Sequence, residues 1–198
     1  MKIIDLSMSI DECTPVFPGD KGLEIKNIKK DGINQKQITI NSHFSTHIDA
    51  PYHMLETGKK LTDFPIEAFV GEALVIDARN QRDIEPPLDS VKQNDIVFFC
   101  TNHTKKAYDK DFFKNNPVIT KKTAVKLIEK KIKMVGLDSF TPDNEPYDVH
   151  KIFLKQDIMI VENLVNLDKL IGKRFMCYVL PLKIQDADGA PCRVIAVL

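Results

Sequence analysis

Residues 43–53 read His43-Phe44-Ser45-Thr46-His47-Ile48-Asp49-Ala50-Pro51-Tyr52-His53, "HFSTHIDAPYH". The chain holds five histidines, and three of them fall in this stretch beside an aspartate. Its odd positions (His43, Ser45, His47, Asp49, Pro51, His53) are mostly polar, and its even positions (Phe44, Thr46, Ile48, Ala50, Tyr52, Met54) mostly apolar. That period-2 alternation is the mark of a strand with one polar face. A straight strand would nonetheless hold His43 and Asp49 about 20 Å apart at roughly 3.3 Å per residue. A helix would join His43 to His47 but turn Asp49 about 120–160° away, and Pro51 disfavours helix across Ala50. Convergence of the three side chains therefore requires a bend near Ser45 and Thr46, where a strand end meets a loop.

The chemistry gives a reason to converge. Neutral imidazoles and a carboxylate suit first-row metal ions, and a catalytic site leaves a coordination position for water. The spacing His-x3-His-x-Asp offers three ligands within seven residues, and His53 stands just beyond as a proton-transfer group. Isolated histidines usually cap turns or bond buried backbone. Three of them with an aspartate at these spacings favour metal.

Working outward, 198 residues suit one domain, 1–198, with room for a substantial core. Lys+Arg and Asp+Glu are both 28, for a net charge of zero, which argues against a nucleic-acid or anionic-membrane surface. The lysines 121, 122, 126, 130, 131 and 133 flank Leu127 and Ile128 and read as the solvated face of a helix. Cys13, Cys100, Cys177 and Cys192 are scattered without a Cys-x-x-Cys pair, and "MKIIDLSMSIDE" turns acidic before a signal-peptide core develops. No apolar run reaches membrane-spanning length. The expectation is a cytoplasmic protein with reduced cysteines, Cys100 behaving as a small buried hydrophobe.

Nine strand candidates are legible: 2–6, 23–28, 36–41, 73–78, 95–100, 132–138, 157–162, 175–180 and 193–198. The clearest helix is 120–131, with Thr120 as N-cap and Ala124, Leu127 and Ile128 on one stripe. Shorter helices fit near 150–155 and 166–171. The pattern predicts one α/β domain with a large share of strand. His103, with Cys100, lacks a second pair for structural zinc and reads as a polar loop or pocket residue. Asp138 reads equally as a turn cap or a functional group at a strand end.

The central stretch resembles the His-x-Gly-Thr-His-x-Asp-x-Pro-x-His signature of the metal-dependent cyclase family, which includes bacterial kynurenine formamidase and isatin hydrolase. "TPVFPGD" (14–20), "VGLDSFTPD" (135–143), "VENL" (161–164) and "VLPLKIQDADGAPCRVIAV" (179–197) resemble further family blocks in the same order, so the likeness covers nearly the whole chain. It implies a swivelling β/β/α fold with a strand-rich core and few flanking helices. It implies two divalent ions, zinc or alternatively manganese. His43, His47 and Asp49 would bind the first, and Asp49 would bridge to the second, completed by His150 and Glu162. His53 would be the catalytic acid–base, and Phe17 would contact substrate. The implied activity is hydrolysis of a small carbonyl compound, foremost an arylformamide of the N-formylkynurenine type in tryptophan catabolism. The alternatives are a lactam or lactone hydrolase or cyclase, and a non-catalytic binding protein. A homodimer or higher homo-oligomer is implied as well. Three departures stand out: Ser45 replaces a glycine, Phe17 a tryptophan, and "TNH" (101–103) the usual Thr-Gly-Trp.

Overall fold

Fourteen elements follow one another in the computed structural model, which describes all residues, 1–198. They are β1 (Ile3–Asp5), β2 (Glu24–Lys30), β3 (Ile33–Thr39), β4 (His47–Asp49), β5 (Val70–Asp77), β6 (Asp83–Ile84), β7 (Ile96–Cys100), β8 (Val118–Ile119), α1 (Lys121–Glu129), β9 (Met134–Leu137), α2 (Asp148–Leu154), β10 (Met159–Glu162), β11 (Arg174–Pro181) and β12 (Gly189–Val197). All nine expected strands form. The expected helix near 166–171 is a single 3-10 turn, Leu167–Leu170. β6 and β8 pair only with each other and are too short to leave a periodic signal.

The large sheet runs β1-β12-β11-β5-β7-β9-β10-β4, and β4 also pairs with β12. That last pairing closes the sheet into a barrel and leaves β1 attached along β12 outside the ring. β5, β7, β9 and β10 are parallel; β4, β11 and β12 join antiparallel. Parallel strands need both faces covered, and the sequence complies. Val75, Phe98, Met134 and Val161 point into the barrel with Ile48, Cys177 and Val194. Their neighbours Leu74, Ile76, Val97, Phe99, Val135 and Leu137 pack outward under Leu127, Phe153 and Leu154 of the two helices. Each such fully buried aliphatic or aromatic side chain contributes about 1.5–3 kcal/mol.

Thr120 caps α1 as expected, its side chain accepting from the Thr123 amide. Lys121 and Lys122 pair with Asp148 and Glu85 at the surface. Cys100 is fully buried, and burial pushes its thiol up to about 12. No helix is long and apolar enough to cross a membrane. The hairpin β2–β3 stands apart from the barrel as its own two-stranded sheet, with Ile33 and Ile38 exposed.

Candidate metal centre

The bend lies at Ser45, whose φ is 60°. This left-handed turn frees His43 from the strand line, so that it folds back over β4 while His47 and Asp49 continue along it. Two neighbours hold the turn. Asn163 Nδ2 donates to Ser45 O at 3.0 Å, and Thr46 Oγ1 donates to Asn163 O at 2.6 Å. Ser45 O also accepts from His47 Nδ1 at 2.8 Å. Since a carbonyl can only accept, that bond commits Nδ1 of His47 to carrying a proton and leaves Nε2 as its ligand atom.

Register brings in the partners. β10 runs antiparallel to β4 with Glu162 opposite His47 and Ile160 opposite Asp49, so Glu162 shares the face of the two ligand candidates. His150 reaches the same place from the first turn of α2. Its Nδ1 donates to Asp143 Oδ1, and the other oxygen of Asp143 accepts from the Val149 amide. Nε2 of His150 is thereby turned toward Glu162 and Asp49. On the far side of β4, Gly189 of β12 lies opposite Asp49. A Cβ there would come within 2.6 Å of the His43 ring, so only glycine admits that ring.

All five expected ligands therefore meet. His43, His47 and Asp49 form one group, and Asp49, His150 and Glu162 a second, each with ligand atoms within 4.8 Å of one another. His47 Nε2 lies 3.4 Å from Asp49 Oδ1 and 3.3 Å from Glu162 Oε2. His150 Nε2 lies 3.3 Å from Glu162 Oε1 and 3.8 Å from Asp49 Oδ2. Charge-assisted N–H···O bonds are shorter, about 2.7–2.9 Å. An ion bound tetrahedrally at about 2.0–2.1 Å separates its ligand atoms by roughly 3.3–3.4 Å, which matches His47–Asp49 in the first group and His150–Glu162 in the second, whereas His43 Nδ1 meets Asp49 Oδ1 at 2.7 Å as a direct hydrogen bond. A donor set of imidazole and carboxylate suits first-row divalent ions. These residues fit a divalent metal, and Asp49 turns one oxygen toward each group.

The charges agree. Burial alone would depress the His43 imidazole, but Asp49 and Asp188 outweigh it and raise it to about 10. His150 behaves alike: burial lowers it, while Asp143 and Glu162 bring it to about 10. Burial pushes Asp49 upward, yet His43 and His47 hold its carboxyl well below the usual range. The cluster is thus short of positive charge, supplied either by protons on the rings or by metal.

His53 lies beside this centre at the end of a 3-10 turn, Pro51–His53, its ring centroid 3.9 Å from that of His43. Above the group opens a cleft of about 440 Å³ bordered by Phe17, Phe112, Phe113 and Phe140. Phe17 meets Phe113 edge-on at 5.7 Å and Phe140 at 6.1 Å. Of these aromatics the sequence singles out Phe17 alone; Phe112 and Phe113 sit in a loop without periodicity. Asp143 and Asn163 escape it too, because their roles depend on partners that only folding supplies. His103 does not border the cleft: Nε2 bonds Phe112 O at 2.8 Å and the ring stacks on Phe112. Asp138 is a cap, accepting from the amides of Thr101 and Asn102, with burial raising its carboxyl to about 6.

Comparison with known proteins places the chain in a family. The Cyclase family model matches residues 4–144. Kynurenine formamidase of Bacillus mycoides is 30% identical over 202 residues, covering 97% of this chain and 95% of that one. An uncharacterised protein of Methanocaldococcus jannaschii is 34% identical across the full length of both chains. Among solved structures, an isatin hydrolase bound to the product analogue thioisatinate superposes with a TM-score of 0.90 at 21% identity, covering 100% of this chain and 92% of that one. A predicted metal-dependent hydrolase from Bacillus stearothermophilus gives 0.84 at 26%, covering 98% and 97%. The chain belongs to the Cyclase family, with the swivelling β/β/α fold of that family's hydrolases. Within the class, it is a cyclase-family hydrolase.

Proposed function

We propose that this protein is a metal-dependent amide hydrolase acting on the C–N bond of small aryl formamides of the N-formylkynurenine type. The observation that carries the proposal is the pair of ligand groups sharing Asp49, set at the floor of a cleft with an aromatic wall. His43, His47 and Asp49 would hold one ion, and Asp49, His150 and Glu162 the other. Ions bound there would acidify a water and polarise the substrate carbonyl, giving a nucleophile near neutral pH. The chain's own groups supply the rest. Phe17, with the phenylalanines behind it, packs against the aryl ring and excludes water from it. His53 accepts the proton of the attacking water and returns it to the departing nitrogen. Asp143 keeps His150 turned inward throughout.

The 30% identity to a kynurenine formamidase supports the formamide reading. Phe17 lines the cleft where the family resemblance implies a tryptophan, and that difference keeps lactams and lactones in the same test panel. Protein loaded with zinc or manganese should hydrolyse N-formylkynurenine faster than isatin or simple lactones. Absence of turnover on all three classes by fully loaded protein would sink the enzyme reading in favour of a binding role. We further propose a homodimer or higher homo-oligomer. An isolated two-stranded ribbon such as β2–β3 is marginal in water, and a second copy would cover its exposed isoleucines. Light scattering at the monomer mass would count against it.

A further inference from the structure

His53 is not alone at the rim. Asp188, in the loop that leads into β12, places Oδ2 3.2 Å from His53 Nδ1 and 2.8 Å from His43 Nε2. Its other oxygen accepts from Ser42 Oγ at 3.0 Å. The mounting is stiff. Asp188 O accepts from the Ala50 amide at 2.8 Å, and Ala50 O accepts from the His53 amide at 2.9 Å. The carboxylate and the ring thus hang from the two sides of the seam where β12 closes onto β4. We propose that Asp188 is the positioning residue of His53, fixing its tautomer and angle for proton transfer.

The chemistry follows from what a carboxylate can accept. Asp188 faces groups able to donate to a carboxylate: Ser42 Oγ, His43 Nε2 and His53 Nδ1. An ionised carboxylate has no proton to give, so a neutral His53 must carry its proton on Nδ1. Nε2 is then the nitrogen left with a lone pair to take the proton of the attacking water. When it does, the ring becomes a cation beside an anion already in place, which favours the transfer without reorganisation. The same oxygen steadies His43, turning its Nδ1 to Asp49, which it meets at 2.7 Å. Carboxylate partners of ligating histidines commonly act in this way. Asp188 is therefore the joint between the metal centre and the proton-transfer group.

This inference rests on the proton-transfer role given to His53 above, and the test separates the two. Asp188→Asn keeps the shape of the side chain and a partner for Ser42, and Asp188→Ala removes it; both are assayed at saturating metal with ion content measured alongside. The expected result is full ion content, KM within about twofold, and kcat lowered roughly 10- to 100-fold. In a His53→Ala background the same substitutions should cost nothing further. Imidazole ¹⁵N spectra of the zinc-loaded protein, which need no substrate, should show the Nδ1–H form of His53 in the parent and its loss in Asp188→Ala. Full additivity with His53→Ala, or an unchanged ¹⁵N signature, would overturn the positioning role. Loss of an ion at saturating metal would overturn it as well, making Asp188 a ligand. If His53→Ala itself keeps full activity, the proton-transfer reading fails, and the ¹⁵N spectra still decide whether Asp188 orders the ring.

Discussion

Ser45 occupies a left-handed conformation that costs a residue bearing a Cβ about 1–2 kcal/mol. The turn cannot relax, because the position of His43 and the acceptor for His47 both depend on it. Ser45→Gly should therefore raise stability, by up to about 1 kcal/mol once glycine's freedom in the unfolded chain is counted, with metal content unchanged. A denaturant midpoint that falls instead would mean that the Ser45 side chain, whose Oγ lies 3.4 Å from Met8 O, contributes more than its backbone costs. At the same scale, two neighbours should respond differently. Asp49→Ala removes the carboxylate common to both ligand groups and should lose both ions together with activity. His53→Ala should keep its metal yet lose roughly 10²- to 10⁴-fold in turnover. Elemental analysis beside each rate decides the matter, and equal loss of metal in both variants would make His53 a ligand.

Among elements, the seam between β4 and β12 controls the site, because it closes the barrel and carries His47 and Asp49 on one strand with Gly189 opposite. The added Cβ of Gly189→Ala would fall 2.6 Å from His43 Cε1 and 2.8 Å from Ile48 O. The strand backbone cannot yield without breaking the ladder, so the His43 ring must move. We expect this variant to bind its His43-containing ion much more weakly while the Asp49–His150–Glu162 group still fills. Stoichiometry near one ion per chain, with an unchanged far-ultraviolet spectrum, is the expected reading; two tightly held ions would show that the ring finds another path.

For the whole molecule, the raised imidazoles set a pH dependence. His43 and His150 bind protons up to about 10 in the folded, metal-free chain, against about 6.5 when unfolded. A raised folded value stabilises fully below the unfolded one and is lost as pH climbs through the folded one. Metal-free protein should accordingly lose stability between about pH 6.5 and 10. Ions compete with those same protons, so metal binding should release protons and tighten across the same window. The gain in Tm from added zinc over chelator should thus be larger at pH 9 than at pH 7. A gain that shrinks with pH would show that the rings are not protonated in the metal-free fold.

The strand-rich α/β class, the nine principal strands, the capped helix α1 and the need for a bend at Ser45 were all legible along the chain. Each depends on local periodicity, on short-range capping, or on the reach of a few residues. The ligand set was legible in two parts. His43, His47 and Asp49 could be read from spacing within seven residues, whereas His150 and Glu162 entered only through family likeness. What joins Glu162 to them is the antiparallel register of β4 and β10, and what brings His150 is the docking of α2; both link segments about a hundred residues apart that no local pattern encodes. Asp188, Asp143 and Asn163 belong to the tertiary structure alone. An aspartate or asparagine in a polar loop looks the same whether it faces water or a histidine, and only closure of the barrel decides which.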